Sequence, residues 1–466
     1  MSNTTFNVRV YKIEKRKNAK GTVTSYRVLW QTAGLMWKRP FPKEAQADAF
    51  RSKLVTAARS GEPFSLATGE PASWARADRP DMSWYSFACK FVDMKWTDAS
   101  AKHRAGIAYA LTMATFGMLD SAACPYDSKE VRTALRRWGF NTKERPNCPE
   151  RPREILEWVE RNSLQVSALS AAATARALLN AATIRLDGKR VAASSNRRHR
   201  VILSNALAYA VEVGLLDKNP IPDLKWTVTK TTFQVDRRSV VNPDQARALL
   251  AAVASQKPSG ALLMPFFAVL YFTGLRPEEA VNLREKDLTL PDAADTWGEL
   301  YLTGATPEVG KEWTDTGEQR DTRGLKHRAE GETRSVPCPP ELVTILRRHL
   351  KDHGTGPGGR VFHGAHGGVL AKSTVLRIWR KARKKALTPE EYASPLARRP
   401  YDLRHACLST WLNAGVSPKQ VSEWAGNSVE VLHRTYEKCL VGHDEIAMRR
   451  ISEVLRPSSP EDIERD

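Results

Sequence analysis

Between residues 6 and 41 apolar side chains alternate with polar ones. Val8, Val10 and Tyr11, then Tyr26, Val28 and Trp30, then Leu35, Trp37 and Phe41 predict three short strands, each burying one face. At 43–58 the period lengthens to that of a helix, so a small three-stranded sheet with one helix is expected, and Lys15-Arg16-Lys17 reads as a turn within it. Residues 60–81 are rich in Gly, Pro, Ser and Ala and hold no period, which makes 63–82 a linker. From 83 to 225 apolar positions keep to helical spacing, over 84–96, 103–119, 152–159, 171–184 and 196–216. Pro220, Pro222 and a basic run then predict an extended tether, with 226–241 as the interdomain linker. In the last unit, 242–456, helices are expected at 244–253 and 261–272, with Gly274 as the stop and Pro277 as the restart. Strands at 300–303 and 334–337 flank a long polar insertion, helices follow at 342–350, 375–386, 402–413, 418–425 and 442–455, and 457–466 is a polar tail.

These elements define a multidomain, mainly α protein: a small α/β N-terminal domain at 1–62, an all-α domain at 83–225, and a mostly-α domain with a small β-sheet at 242–456. A chain of 466 residues exceeds what one core usually organises, which agrees with that division.

Charge narrows the choice of partner. The formal net charge is +20, and residues 1–60 hold 13 Lys and Arg against 3 Asp and Glu, so half of the excess sits in about an eighth of the chain. Such a concentration suits a polyanion, nucleic acid or an acidic membrane surface, bound by a basic N-terminal module. Lys15, Arg16 and Lys17 are candidate phosphate contacts there, as are Arg197, Arg198 and Arg200 at the start of the helix over 196–216. The six cysteines are scattered without a C-x-x-C pair, which argues against a zinc site or a disulfide framework. Without a signal-peptide pattern or 18 consecutive apolar residues, the sequence reads as soluble, intracellular and cytoplasmic.

Candidate chemistry gathers in two places. Thr-Gly-Leu-Arg276-Pro-Glu-Glu279 follows the apolar helix at 261–272, and Tyr401-Asp-Leu-Arg404-His405 precedes His433-Arg-Thr-Tyr436 by about thirty residues. Arginine grips phosphate oxygens with a planar fork and keeps its charge, while tyrosine forms a phosphate ester that can later be reversed. Two arginines and a tyrosine therefore suggest attack on a phosphodiester. No carboxylate cluster suggests Mg²⁺, and no cofactor is implied.

The segment resembles the tyrosine recombinase, or phage integrase, family over roughly 242–456. The features that carry the resemblance are the first arginine box around Arg276, the helix 402–413 with its Gly415 stop, the helix 418–425, the Gly426 turn, and Tyr436 some ten residues on. It implies that Arg276 and Arg404 hold a scissile phosphate, that Tyr436 forms a 3′-phosphotyrosyl bond, and that a hairpin lysine protonates the departing 5′ oxygen. Lys326 fits that lysine best, with Lys311 as competitor, and Glu279 orients an arginine. The pattern departs from the family twice: Tyr401 stands where histidine is usual, and Asn427 where histidine or tryptophan is usual. Tyr401 cannot shuttle protons near neutrality as imidazole does, whereas the Asn427 amide can still donate to a phosphate oxygen. His405 and His433 lie close by but match no family position.

The expected partner is double-stranded DNA at attachment sites. A homotetramer on DNA, accessory proteins, and a last helix docking on a neighbouring subunit are further implications. An alternative stays open: 402–413 and 418–425 can be read as a helix-turn-helix presenting Lys419, Gln420 and Ser422 to bases, in a decayed recombinase relative acting as a DNA-binding regulator.

Overall fold

The computed structural model describes residues 4–77, 81–120, 124–185, 187–225, 234–326 and 331–436, together with 448, 451 and 452. Most of the expected helix at 442–455, the tail at 457–466 and 226–233 of the expected linker lie outside the described residues. The chain gathers into two compact units. Met1–Met94, Tyr109–Phe140 and Asn147–Thr227 form the first; Lys95–Ala108, Asn141–Pro146 and Val228–Asp466 form the second.

In the first unit the long strand Val23–Thr32 organises an antiparallel sheet. Leu35–Phe41 pairs along one edge of it, and Val8–Val10 and Glu14–Lys17 share the other. Period-2 alternation buries Val28, Trp30 and Thr32 on one face. The helix Glu44–Arg59 presents Ala47, Phe50, Leu54 and Ala57 at three- and four-residue intervals, and Phe50 meets Trp30 at 5.6 Å and Trp74 at 5.3 Å between ring centroids.

Two expectations change here. Lys15, Arg16 and Lys17 lie in a strand, not a turn, because the edge strand breaks after Val10 and resumes at Glu14; the turn comes at Asn18, whose Oδ1 accepts from the Lys20 and Thr22 amides. The expected linker at 63–82 holds a strand, Phe64–Ser65, paired with Thr4–Thr5, and a helix, Ala72–Ala77. The rest of this unit is helical. The helices Glu150–Asn162, Ala172–Ala181 and Ala193–Glu212 coincide with the apolar periodicity. Ser128–Ala134, running into a π-helical turn at Leu135–Gly139, does not, because its five Lys, Arg and Glu side chains dilute the apolar pattern.

The second unit is built around Gly260–Phe272, a helix buried on nearly every side. It ends at Gly274, which has φ +61° and no room for a side chain, since a Cβ there would lie 2.5 Å from Leu408 Cδ1. That approach brings the first arginine box against the helix Asp402–Asn413. The small antiparallel sheet, Leu288–Thr289, Gly298–Leu302 and Arg334–Cys338, pairs Leu300 with Val336 and Leu302 with Arg334. Between its last two strands the polar insertion is anchored by a buried Trp313, and Arg104 grips Asp315 with two hydrogen bonds of 2.7 and 3.1 Å. The expected fold class, multidomain and mainly helical with small sheets, is the one observed. Among the described residues no helix is long and apolar enough to cross a membrane.

Candidate active site

Pro277 occupies the first turn of the short helix Pro277–Asn282 and Glu279 its third position. From there the Glu279 carboxylate accepts the Arg276 backbone N–H at 2.8 Å and the Arg276 Nη1 at 2.7 Å, so a three-residue spacing fixes both the backbone and the side chain of Arg276. A further arginine closes the group: Arg334 reaches both oxygens of Glu279, at 3.1 and 2.7 Å, with both side chains only 2% exposed. Burial alone would push the Glu279 carboxyl up, but the guanidinium groups of Arg334 and Arg276 outweigh it and hold it down at about 2.

Arg404 enters from the first turn of Asp402–Asn413 and is wholly buried. Its Nη1 donates to the Gly274 carbonyl and its Nη2 to the Ala425 carbonyl at 2.7 Å. The helix Pro418–Ala425 supplies that second carbonyl. Ser417 caps its start, accepting from the Gln420 amide, and Gly426 ends it in the left-handed conformation at φ +62°. The C-terminal carbonyls of a helix lack intrahelical donors, and two of them are satisfied here by arginine: Ala425 by Arg404, and Gly426 by Arg276 at 2.7 Å. Asn427 joins the two guanidiniums, its Oδ1 accepting from Arg276 Nη2 at 2.7 Å and from Arg404 Nη2 at 3.3 Å. Its Nδ2 remains the donor.

Tyr436 ends the helix Val429–Tyr436 and is 2% exposed, packed with Leu412, Val421, Ala425 and Leu432. Its hydroxyl is 2.8 Å from His405 Nδ1. That imidazole also meets Tyr401 edge-to-face, with ring centroids 5.1 Å apart.

Arg276, Arg404, Glu279 and Asn427 thus converge, with Tyr401 and Tyr436 joined to them through His405. Lys326 and Lys311 are both exposed, in the segment between Gly298–Leu302 and Arg334–Cys338. Lys15, Arg16 and Lys17 are exposed on the N-terminal sheet, where Lys15 pairs with Glu44 at 2.8 Å. Arg197 and Arg198 are exposed, but Arg200 is half-buried and donates to the Ile221 carbonyl at 3.3 Å. His433 points outward.

Sequence reasoning missed Arg334, and it named His405 without finding it a partner. Arg334 had a signal, because period-2 alternation in Arg-Ser-Val-Pro-Cys puts it on the same face as the buried Val336 and Cys338. His405 had none, since its contact spans 31 residues. The helix-turn-helix alternative meets an obstacle in Ser422, which is buried with its hydroxyl bonded to the Lys419 carbonyl and cannot face bases.

A mostly helical domain with a small sheet thus carries two arginines that share the Asn427 amide and a tyrosine whose hydroxyl meets His405. Residues 239–438 match the phage integrase family, so the chain carries a domain of that family. It is 26% identical over 163 residues to the tyrosine recombinase XerC of Nitrobacter winogradskyi, covering 34% of this chain and 40% of that one. It is 27% identical over 213 residues to an integrase of Streptomyces ambofaciens, covering 42% and 47%. The chain therefore spans less than half the length of these curated relatives. Among solved structures, the Tn1549 transposon integrase in complex with circular intermediate DNA is similar over 66% of this chain and 96% of that one, at 19% identity and a TM-score of 0.46.

Proposed function

We propose that the chain is a site-specific DNA recombinase that integrates or excises a mobile element through a 3′-phosphotyrosyl intermediate at Tyr436. The observation that carries this reading is the convergence of Arg276 and Arg404 on the Asn427 amide, with the Tyr436 hydroxyl 2.8 Å from the imidazole of His405, the residue that follows Arg404. Both guanidiniums are oriented before any substrate arrives, which is the condition for stabilising charge that develops on non-bridging oxygens in the transition state. Arg404 Nε is buried without a hydrogen-bond partner among the described residues, an unmet donor that suits an anionic site.

In this reading Tyr436 oxygen attacks phosphorus, Arg276, Arg404 and Asn427 Nδ2 bind the non-bridging oxygens, and Lys326 or Lys311 protonates the leaving 5′ oxygen. Tyr401 borders the site in place of the usual histidine, and Glu279 positions Arg276. The N-terminal residues Lys15, Arg16 and Lys17, with Arg197 and Arg198, add sequence-independent affinity for double-stranded DNA. Assembly on paired sites is a homotetramer, with accessory proteins setting direction.

Covalent trapping tests the reading. Wild type and Tyr436→Phe are incubated with nicked suicide duplexes from the element's attachment region, and products are resolved under denaturing conditions. An adduct formed by wild type and lost in Tyr436→Phe is the expected result. Tight, specific binding without an adduct from either protein would favour the regulator instead.

A further inference from the structure

We infer that His405 is the proton acceptor for Tyr436, taking the phenolic proton as the tyrosine oxygen attacks phosphorus and returning it when the ester is reversed. This rests on the reading of Tyr436 as nucleophile.

Geometry carries the assignment. His405 Nδ1 and the Tyr436 hydroxyl are 2.8 Å apart, and their rings lie 5.6 Å centroid to centroid, so the pair is in hydrogen-bond contact before DNA arrives. The imidazole follows Arg404 directly on the helix Asp402–Asn413, so a phosphate-gripping guanidinium and the base share one rigid backbone, and Tyr401 packs edge-to-face on it at 5.1 Å. Of the two rings, it is the His405 imidazole that is in hydrogen-bond contact with the nucleophile's hydroxyl.

Electrostatics agree with that role. Burial lowers the His405 pKa to about 4, and the opposing pulls of Asp402, which raises it, and of Arg399 and Arg404, which lower it, leave it there. Tyr436 and Tyr401 both pack against the ring, and Asp236, Arg380, Arg383 and Arg398 line the cavity that His405 borders. The ring is therefore neutral at physiological pH and can accept a proton at Nδ1 once the other ring nitrogen carries the hydrogen. Free of DNA it is a weak base. A bound phosphate, which gains negative charge in the transition state, favours the imidazolium and raises its basicity when attack begins.

The step balances. The tyrosine O–H bond breaks and N–H forms at Nδ1; O–P forms, P–O5′ breaks, and the 5′ oxygen takes a proton from the lysine acid. On reversal the 5′ hydroxyl attacks, its proton returns to the lysine, and the departing tyrosine oxygen recovers its own from His405.

The test is single-turnover adduct formation by the full chain at saturating nicked duplex, across pH 6 to 9, for wild type and His405→Asn, with melting curves to check that the variant is folded. Asparagine places an amide near the Nδ1 position but cannot be protonated. The wild-type rate should be nearly flat with pH. His405→Asn should be slower at pH 7 by on the order of 10²-fold. Its rate should climb about tenfold per pH unit as hydroxide takes over deprotonation of the phenol. A 5′-bridging sulfur in the substrate, which removes the need for a leaving-group acid, should leave that deficit in place. A variant matching wild type, a deficit constant with pH, or rescue by the bridging sulfur overturns the assignment. An adduct lost in Tyr436→Phe but unaffected by His405→Asn sinks only the His405 role, whereas no adduct from wild type sinks the recombinase reading with it.

Discussion

Lys15 meets Glu44 at 2.8 Å with both side chains half exposed, and Arg334 meets Glu279 at 2.7 Å with both at 2%. The two distances are nearly equal, yet the pairs differ in kind. In water-like surroundings a contact of that length is worth little, because solvent screens it and ordering two long side chains opposes it. Out of water, both the attraction and the cost of losing a partner rise several-fold. The N-terminal sheet carries its basic residues as exposed surface charge. The arginines of the second unit are held by Glu279, by helix-end carbonyls and by one shared amide, as befits groups that must sit at one place. Counting charges along the chain cannot separate these two uses.

The comparison is sharpest at Glu279. Glu279→Ala leaves Arg334 buried without its counter-charge and should destabilise the protein by about 3–5 kcal/mol, read by denaturant unfolding. A loss below about 1 kcal/mol would place the pair in the same regime as Lys15–Glu44. The pH dependence follows from the same group. Its folded pKa is depressed from 4.5 to about 2, so the stabilisation is present above the unfolded value and lost as pH falls from about 4.5 through 2. The loss should amount to about 3 kcal/mol in wild type and be missing from Glu279→Gln.

Next in size is Gly426→Ala. It forces a side chain into the left-handed region and against Arg334 Nη1, with Arg276 Nη1 3.3 Å away, and should cost about 1–3 kcal/mol while displacing the guanidiniums. Melting and adduct yield should fall together; a variant that melts like wild type would mean the turn has room to relax. The smallest effect is at Lys15. Lys15→Ala should leave the melting midpoint unchanged but lower the salt dependence of DNA binding by about one counterion, if that residue contacts a phosphate. A lowered midpoint would show that the surface pair is structural after all.

The boundaries of 402–413 and 418–425 were legible because Gly415, Pro418 and Gly426 punctuate the chain locally, and Arg276 to Glu279 because a cap spacing is local too. Local rules also miscast residues 15–17, since a break in an edge strand and a turn look alike in composition. Arg334 was passed over because a charged residue in a strand is normally on the solvent face, although alternation with Val336 and Cys338 put it on the buried one. His405 and Asn427 acquire their partners from remote parts of the chain, His405 across 31 residues and Asn427 across 151 to Arg276, where periodicity carries no information.

The presence of Glu279 among the arginines sets a charge balance. Arg276, Arg334 and Arg404 bring three positive charges and Glu279 removes one, leaving two. A DNA phosphodiester carries one negative charge, but the five-coordinate arrangement formed when an ionised oxygen attacks it carries two. For the cleavage proposed above, the arginine–glutamate group by itself thus matches the charge of the five-coordinate phosphate and exceeds that of intact DNA, the proton passed to His405 and the lysine acid being counted apart. Such a centre favours strand breakage without holding unreacted DNA more tightly than the reaction requires.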